Sequence, residues 1–535
     1  MFANGFWSSS QGLEDAGNYI WLLWHTHQSI LSQSSVFFTN LLFYPFGVSL
    51  KFDIPILNSV ISLPISQVFG PMASYNFLIF FSFLTTFWGF YLFLKYLSKS
   101  KIGSLVGALI FTFSAYRLTA LSLGQMDLLS TNWIGFTLFF IFKFFDSPKK
   151  IKNIFFSALF FSLNGYMDYR TFIIFGLFVG ILFSVKNITN FKTLIKGTFL
   201  FLLFSLAFIS PLILINYNSF TVSPTFIEAD SPRVNTTDLL AFVYPLKSLT
   251  SKYYSMATPY IGIVSSALLT IYFLFIKKDE QDKKHVKVFT TLLLIFVILS
   301  LGHGVNIFGN QIFESRYMPF ALLKNIPVFT FLRIPARFSL GVNIAVSVFS
   351  AFAIKQMLTK LNNKTFYSLS LASIIFLSIF QGFLFVPKIR FNQTTKFGFL
   401  QTLQQKPSGS VLYVPFGYQD SFDQPNGVYT YSILLSQIYH NKPIIGGYLS
   451  YVNPITLQNL HNDIFLQNLI SCQKGFVCNQ VSNTDTKLAI EKYNLKYLII
   501  EKNAVSTKTY EFLNTSFKLK MIDTNKNFDI LEILN

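Results

Sequence analysis

The sequence carries little charge for its length. Only 12% of its 535 residues are charged, whereas 52% are hydrophobic and Phe alone contributes 66. Soluble domains contain about 25% charged residues, so this composition excludes an ordinary soluble protein and indicates a polytopic membrane protein. The net charge of +19 does not require nucleic acid, because Lys-rich cytoplasmic loops produce the same excess. We therefore expect membrane lipids as partners and no nucleic acid.

Several motifs of soluble enzymes are also missing. The chain has no P-loop, no Rossmann fingerprint, no Gly-x-Ser-x-Gly elbow and no zinc-protease motif, and no internal repeat supports an inverted-repeat transporter. His25 and His27 are two residues apart, and on a helix they face different directions, so they are a poor metal pair. We expect no cofactor and no metal ligands, although a divalent ion bridging a phosphate and carboxylates is compatible with the sequence.

Hydropathy predicts ten membrane spans, since a span needs about 20 apolar residues. The apolar segment 54–69 is short and contains Pro55 and Pro64, so we predict a juxtamembrane helix that does not cross. The predicted spans are 74–94, 102–119, 130–146, 152–166, 170–186, 196–216, 258–276, 286–302, 338–357 and 365–386.

Lysine clusters give these spans an orientation. Five clusters alternate with loops that lack them, and the positive-inside rule places all five in the cytoplasm. Both chain ends then lie outside a plasma membrane that the chain crosses several times. The clusters are at 95–101, 143–152, 186–196, 277–287 and 355–364.

The predicted fold class is therefore mainly α, with three regions. Residues 1–73 form a first extracytoplasmic loop with juxtamembrane helices, residues 74–386 form a transmembrane helix bundle, and residues 387–535 form an extracytoplasmic α/β domain. In the last region the sequence predicts strands at 411–416, 497–501 and 528–533 and helices at 396–405, 427–438, 454–470 and 484–494.

The two cysteines, Cys472 and Cys478, both fall in this last region. A Cys-x5-Cys pair outside the cytoplasm predicts a disulfide that closes a small loop.

Arginine is scarce as well, and every arginine falls on the predicted outer side. A guanidinium group binds phosphate in a bidentate way, so we predict that several of them bind a lipid phosphate. The alternative is that they pair with acids such as Glu314, Asp230 or Asp168, or reach toward lipid headgroups. The seven are Arg117, Arg170, Arg233, Arg316, Arg333, Arg337 and Arg390.

Two adjacent acids, Glu14 and Asp15, lie just ahead of an aromatic stretch. We predict a helix whose side chains Tyr19, Trp21 and Trp24 lie at the membrane–water interface. Acids held at that depth are suited to chemistry on a lipid-borne substrate. The alternative is that the two acids only stabilise the start of a helix.

Several motifs together resemble the GT-C class of bacterial glycosyltransferase-like membrane proteins that depend on polyprenyl-phosphate sugars. The resemblance covers most of the chain, in order. The motifs are Glu14-Asp15 with Trp21 and Trp24, Tyr44-Pro45-Phe46-Gly47, Phe113-Ser114-Ala115-Tyr116-Arg117, Gly124-Gln125-Met126-Asp127-Leu128-Leu129-Ser130, the Arg-x-Pro-x-Arg-Phe element Arg333-Ile334-Pro335-Ala336-Arg337-Phe338, and Lys442-Pro443-Ile444-Ile445-Gly446-Gly447-Tyr448.

This resemblance implies a membrane glycosyltransferase with a polyprenyl-phosphate-linked sugar as donor and a glycan, lipid or protein of the cell envelope as acceptor. It implies that Asp15 is the catalytic carboxylate, with Glu14 second; Asp127 and Asp168 are further acidic candidates. The candidates for binding the lipid phosphate are Arg117, Arg170, Arg333 and Arg337.

In one respect the sequence departs from this family. The family has a spanning helix before the first outer loop, whereas this sequence starts on the predicted outer side, as would a chain shortened by one helix.

Two other functions remain open from the sequence. A transporter or flippase of lipid-linked sugars would use the same arginines to hold phosphate and would need no base. A non-catalytic membrane scaffold would use its outer domain to bind a partner, and Asp15 would then be dispensable.

The first prediction concerns topology. Single cysteines at Ser147 and Ser408 should react with a membrane-impermeant thiol reagent from opposite sides of the membrane, because Ser147 lies within the lysine cluster at 143–152 and Ser408 lies in the predicted outer domain. Labelling of both from one side would contradict the ten-span arrangement.

Overall fold

Helices make up most of the chain in the computed structural model, in agreement with the predicted mainly α class. The structure describes residues 3–51, 53–186, 191–220, 236–244, 259–275, 280–329, 332, 334–360, 364–384, 386–420, 426–476, 478 and 481–534.

The helices include one or more at each of the ten predicted apolar segments. In chain order they are α1 Leu13–Leu31, α2 Ile56–Ser98, α3 Lys101–Thr112, α4 Ala115–Ser122, α5 Met126–Leu129, α6 Ile134–Asp146, α7 Ile151–Gly165, α8 Tyr169–Lys186, α9 Phe191–Phe220, α10 Ile263–Phe275, α11 Glu280–Ser300, α12 Pro319–Leu323, α13 Ser339–Lys360, α14 Lys364–Leu384, α15 Tyr431–His440, α16 Pro454–His461, α17 Ile464–Gln473, α18 Asn483–Tyr493 and α19 Thr507–Ser516.

The strands are short and mostly late in the chain. They are β1 Gly5–Ser8, β2 Phe38–Thr39, β3 Val48–Ser49, β4 Gly304–Ile307, β5 Asn310–Glu314, β6 Arg390–Gln393, β7 Ser410–Val414, β8 Gly417–Asp420, β9 Asn426–Gly427, β10 Gly447–Leu449, β11 Leu495–Glu501, β12 Lys518–Thr524 and β13 Phe528–Leu534.

Six helical segments are long and apolar enough to cross a membrane. They are Ile56–Ser98, Lys101–Ser122, Met126–Asp146, Tyr169–Lys186, Ile195–Asn216 and Pro335–Leu358. Helices also occupy the four other predicted spans, but α7 and α10 are short, with 15 and 13 residues, and α11 begins with a charged turn. The membrane character is thus supported, while the count of ten spans stays a prediction.

The predicted juxtamembrane helix at 54–69 is the first part of α2. Gly70 interrupts α2 with φ 84° and ψ 173°, a backbone conformation that is essentially restricted to glycine. Pro71 follows directly and cannot donate a backbone hydrogen bond. The segment predicted not to cross is therefore separated by a kink from the apolar helix predicted as the first span.

Contacts within the chain define two compact units. The α/β unit contains Met1–Trp7, Leu13–Asn76 and Phe391–Asn535, and the bundle unit contains Ser8–Gly12 and Phe77–Arg390. The predicted regions 1–73 and 387–535 thus belong largely to one unit, which the sequence did not indicate because the two are separated by the whole bundle. The bundle unit has an apolar core in which Phe and branched aliphatic side chains predominate.

A four-stranded sheet forms the centre of the α/β unit, with strand order β12-β13-β11-β7. Strand β11 pairs parallel to β7 and antiparallel to β13. Every residue of β7 is buried, as expected for a strand covered on both faces. The three strands predicted in this region are confirmed, and α15 to α18 lie where helices were predicted.

The disulfide lies at the end of α17. Cys472 and Cys478 are bonded to each other, and their Cα atoms are 4.7 Å apart. The bond closes the small loop that follows the helix.

Helix α1 packs closely against α15 within this unit. A Cβ atom on Gly17 would lie 3.1 Å from the Cβ of Tyr431, so the small residue permits the close approach. Gln437 of α15 fixes the contact, because its Oε1 accepts a hydrogen bond of 2.6 Å from the indole Nε1 of Trp21. Its Nε2 donates to the carbonyl oxygens of Leu41 and Lys442.

The second prediction tests this contact. Trp21→Phe removes the only indole donor to Gln437 among the described residues, and an unsatisfied buried polar group costs about 1–3 kcal/mol. We expect a lower thermal unfolding temperature in detergent for the purified variant. The control is Trp7→Phe, because Trp7 is 38% exposed and stacks edge-on against Phe391. Equal losses in the two variants would contradict the assigned role of the hydrogen bond.

Candidate active site

The two acids singled out by the sequence lie in the first turn of α1. Glu14 is exposed and Asp15 is half-buried, so both can be reached by a bound molecule. Carboxylates near the first turn also interact favourably with the positive end of the helix dipole. The position is therefore compatible with both the catalytic and the structural alternative that the sequence left open.

The aromatic side chains of α1 are not at a membrane interface. Tyr19, Trp21 and Trp24 are only 6%, 0% and 8% exposed, so the interfacial prediction for them is wrong. Asn58 donates a hydrogen bond of 2.7 Å to the Tyr19 hydroxyl, and the ring of His25 stacks on Trp21 at 5.2 Å. The aromatic residues thus anchor α1 inside the protein, which holds the acidic first turn in place.

A phenol from the C-terminal region adjoins the acidic turn. Tyr429 is buried, its hydroxyl has no hydrogen-bond partner among the described residues, and the charges of Glu14 and Asp15 act on it. The ring of Tyr448 lies 5.4 Å from that of Tyr429. Burial, followed by the negative charge of Glu14, raises the pKa of Tyr429 well above 10. The hydroxyl therefore keeps its proton.

Sequence reasoning missed Tyr429. It precedes α15 in a short Tyr-Thr-Tyr run that has no periodicity and matches no motif. Its importance comes from the electrostatic effect of acidic residues more than 400 positions earlier, which local patterns do not reveal.

Burial and a neighbouring charge also change the pKa of Glu14. Partial burial of its carboxyl group, followed by repulsion from Asp15, raises the pKa of Glu14 above the usual 4.5. Because the side chain is exposed, water weakens both effects. Glu14 therefore binds a proton at a somewhat higher pH than a free glutamate side chain.

A second polar cluster lies in the bundle unit, around Arg170. Its guanidinium group pairs with Asp127 and, at 2.9 Å, with Asp168. Asp168 also accepts hydrogen bonds from the backbone and the hydroxyl of Thr171, at 2.8 and 2.6 Å. The alternative that Asp168 pairs with Arg170 is thus what the structure shows, and Asp127 joins the same pair.

Arg337 lies in the same part of the bundle unit. Its side chain is buried, its Nε has no hydrogen-bond partner among the described residues, and its charge acts on Asp168 and Tyr116. Two arginines and two aspartates balance each other in charge. Arg170 is already held by two carboxylates, so Arg337 has more capacity for an additional anion.

Arg117 has contacts of a different kind. It is fully buried, it donates to the carbonyl oxygens of Thr112 and Leu129 at 2.8 and 3.2 Å, and it donates to the Ser82 hydroxyl at 2.8 Å. Its guanidinium also lies 4.6 Å from the Phe83 ring. These contacts favour a structural role for Arg117 over phosphate binding.

Arg333 lies outside the described residues, so its predicted role stays a prediction. Glu14 and Asp15 belong to the α/β unit, whereas Asp127, Arg170 and Arg337 belong to the bundle unit.

Metal ligands are not gathered anywhere in the described part of the chain. No group of three or more His, Cys, Asp or Glu side chains there could hold a metal ion. His27 forms a 2.9 Å hydrogen bond with the Ser59 carbonyl, and burial lowers the pKa of His25 to about 4. The two histidines thus have separate surroundings.

Comparison with known proteins gives matches in structure only. No family model and no curated protein matches the sequence. The apo oligosaccharyltransferase of Archaeoglobus fulgidus matches with a TM-score of 0.54 and 10% identity, over 91% of this chain and 65% of its own. The arabinofuranosyltransferase AftD from Mycobacteria matches with a TM-score of 0.54 and 11% identity, over 99% of this chain and 42% of its own.

A third structure matches along nearly its whole length. ArnT from Cupriavidus metallidurans, solved bound to undecaprenyl phosphate, has a TM-score of 0.52 and 11% identity, with 99% of this chain and 95% of ArnT covered. Together these similarities show that the chain has the fold of the GT-C class of membrane glycosyltransferases. This confirms the class that the sequence motifs indicated. The chain spans less than two thirds of the length of the oligosaccharyltransferase and under half that of AftD.

The third prediction concerns Tyr429. Tyr429→Phe removes a buried hydroxyl that has no partner among the described residues, and such a group does not stabilise a fold. We expect a thermal unfolding temperature equal to or slightly above that of the parent protein. A clear decrease would mean that the hydroxyl has a stabilising partner and is not free to bind a substrate.

Proposed function

We propose that this protein is an integral membrane glycosyltransferase that transfers a sugar from a polyprenyl-phosphate-linked donor to an acceptor on the extracytoplasmic face. The observation that carries the proposal is the accessible Glu14-Asp15 pair beside the buried, protonated hydroxyl of Tyr429, in a chain with a GT-C fold. That ArnT was solved with undecaprenyl phosphate supports a polyprenyl phosphate as the lipid.

In the proposed reaction Asp15 is the general base. The acceptor hydroxyl oxygen attacks the anomeric carbon of the donor sugar and passes its proton to the Asp15 carboxylate. The bond between the anomeric carbon and the phosphate oxygen breaks, and its electron pair leaves with the polyprenyl phosphate. A carboxylate in hydrogen-bond reach of the attacking hydroxyl supplies this kind of catalysis.

Tyr429 has a proposed role in orienting the acceptor. A protonated phenol with no protein partner can donate to an oxygen of the bound sugar or acceptor, and buried donors of this kind discriminate strongly between ligands with and without the matching group. The C-terminal region thereby contributes directly to the substrate site of the α/β unit.

Arg337 is the proposed main contact for lipid phosphate in the bundle unit. Its charge is opposite to that of a phosphate, and a guanidinium group is suited to binding phosphate. Arg170 contributes less because Asp127 and Asp168 already neutralise it. The pairing of Arg170 instead fixes the positions of the Asp127 and Asp168 side chains.

The fourth prediction tests Asp15. Asp15→Asn keeps the size of the side chain and its favourable place in the first turn, but it cannot accept the proton. Loss of a general base typically lowers the rate by a factor of about 10² to 10⁴. In a deletion strain complemented with this variant, mass analysis of surface glycans should show loss of the transferred sugar and accumulation of the lipid-linked donor.

The controls separate the base from the alternatives. Glu491→Gln, an exposed carboxylate of α18, should restore the glycans fully. Normal glycans with both Asp15→Asn and Glu14→Gln would contradict the proposed base. Normal glycans with Asp15→Asn together with their loss in Arg337→Met would indicate a flippase of lipid-linked sugars, which needs the phosphate contact but no base.

A further inference from the structure

The loop between α11 and the span that begins at Pro335 carries a β-hairpin with an unusual tip. Strands β4 and β5 are joined by Phe308 and Gly309, whose φ angles are 50° and 76°. A two-residue turn with both φ angles positive is strongly preferred by Asn, Asp and Gly, and a bulky residue there is an outlier. A phenylalanine at this position is therefore not explained by turn formation.

A second irregularity lies in β5. The register shifts between Val305 and Asn306, which pair with Phe313 and Gln311, so Ile312 is the extra residue of a bulge. Bulges redirect side chains locally. Phe308, Ile312 and Phe313 are 55%, 64% and 52% exposed. Two departures from regular hairpin geometry thus present three large apolar side chains to the surroundings.

The hairpin is firmly held by hydrogen bonds at its turn and in β4. The backbone N–H of Gly309 donates to Asp238 at 2.8 Å, and Asn306 donates to the Thr236 hydroxyl at 2.7 Å. Below it, the ring of His303 packs edge-on against the buried Phe320 at 5.4 Å. The exposed side chains are therefore carried on an ordered support within the bundle unit.

The same loop has the charge and composition of a protein surface that binds lipid headgroups. Further along it, Tyr317 is 67% exposed, and the guanidinium of Arg316 lies 5.0 Å from its ring. Lys324 adds a second cation, and Glu314, the one acid of this hairpin, is hydrogen-bonded to Gln311. Aromatic and basic side chains beside exposed apolar ones are typical of protein segments that lie in the interface of a bilayer.

We propose that the β4–β5 hairpin inserts Phe308, Ile312 and Phe313 into the phospholipid leaflet next to it, with Arg316 and Lys324 at the phosphate level. The loop runs directly into a membrane-spanning segment, so the lipid surface is within its reach. Its insertion would fix the depth of the chain that leads to the Arg-x-Pro-x-Arg-Phe element. This inference does not depend on the proposed reaction.

The fifth prediction tests the insertion directly. Single cysteines at Phe308, Ile312 and Phe313 of the full chain are labelled with bimane and reconstituted into nanodiscs of phosphatidylcholine with or without bromine on the acyl chains. Bromine quenches only fluorophores that it contacts, so we expect the three labels to lose most of their fluorescence in brominated lipid. Equal fluorescence in the two lipids would overturn the proposal.

Two further variants complete the test. A label at Leu488, which is 57% exposed on α18, should not be quenched; quenching there equal to that at Phe308 would also overturn the proposal. Phe308→Asn suits the turn better, so it should keep or raise the thermal unfolding temperature while it reduces quenching of the label at Phe313. Unchanged quenching would overturn the role assigned to Phe308.

Discussion

The amide group of Gln437 joins α1 and the loop after it to the distant helix α15 and the residues that follow it. It accepts a hydrogen bond from Trp21, and it donates to the carbonyl oxygens of Leu41 and Lys442. Because buried polar groups are costly when unpaired, this arrangement defines both the position and the rotation of α1. The placement of Glu14 and Asp15 beside Tyr429 follows from it. The position of the candidate base Asp15 thus depends on the hydrogen bond between Trp21, further along α1, and Gln437.

The fold was accessible from the sequence where the signal is local. Apolar length predicted helices at all ten proposed spans, and alternation predicted the strands that became β7, β11 and β13. The GT-C fold could be predicted from several short motifs in order, even though the matching structures are only 10 to 11% identical to this chain. Local patterns could not predict that the N-terminal region and the C-terminal region belong to one compact unit.

The site was predictable only in part for the same reason. Tyr19, Trp21 and Trp24 have the composition of an interfacial helix, but all three are buried in the structure. Tyr19 is hydrogen-bonded to Asn58, and Trp21 to Gln437 of the helix that starts at Tyr431. Arg117 and Arg337 look alike in the sequence as outer-side cations. In the structure the terminal guanidinium nitrogens of Arg117 donate to two carbonyl oxygens and a hydroxyl, whereas the charge of Arg337 acts on Asp168; the Nε atoms of both lack a partner among the described residues. Charge type and side of the membrane are sequence properties, but the supply of hydrogen-bond partners is a property of the fold.

The contact between α1 and α15 also has a consequence for biosynthesis. Trp21 and Gln437 are separated by 416 positions, and ribosomes add about 5–20 residues per second. Helix α1 is therefore complete roughly 20 to 80 s before its partner is made. During that interval Trp21 lacks its native hydrogen-bond partner. The nascent chain must keep an aromatic helix from aggregating or binding elsewhere until about four fifths of the protein has been translated.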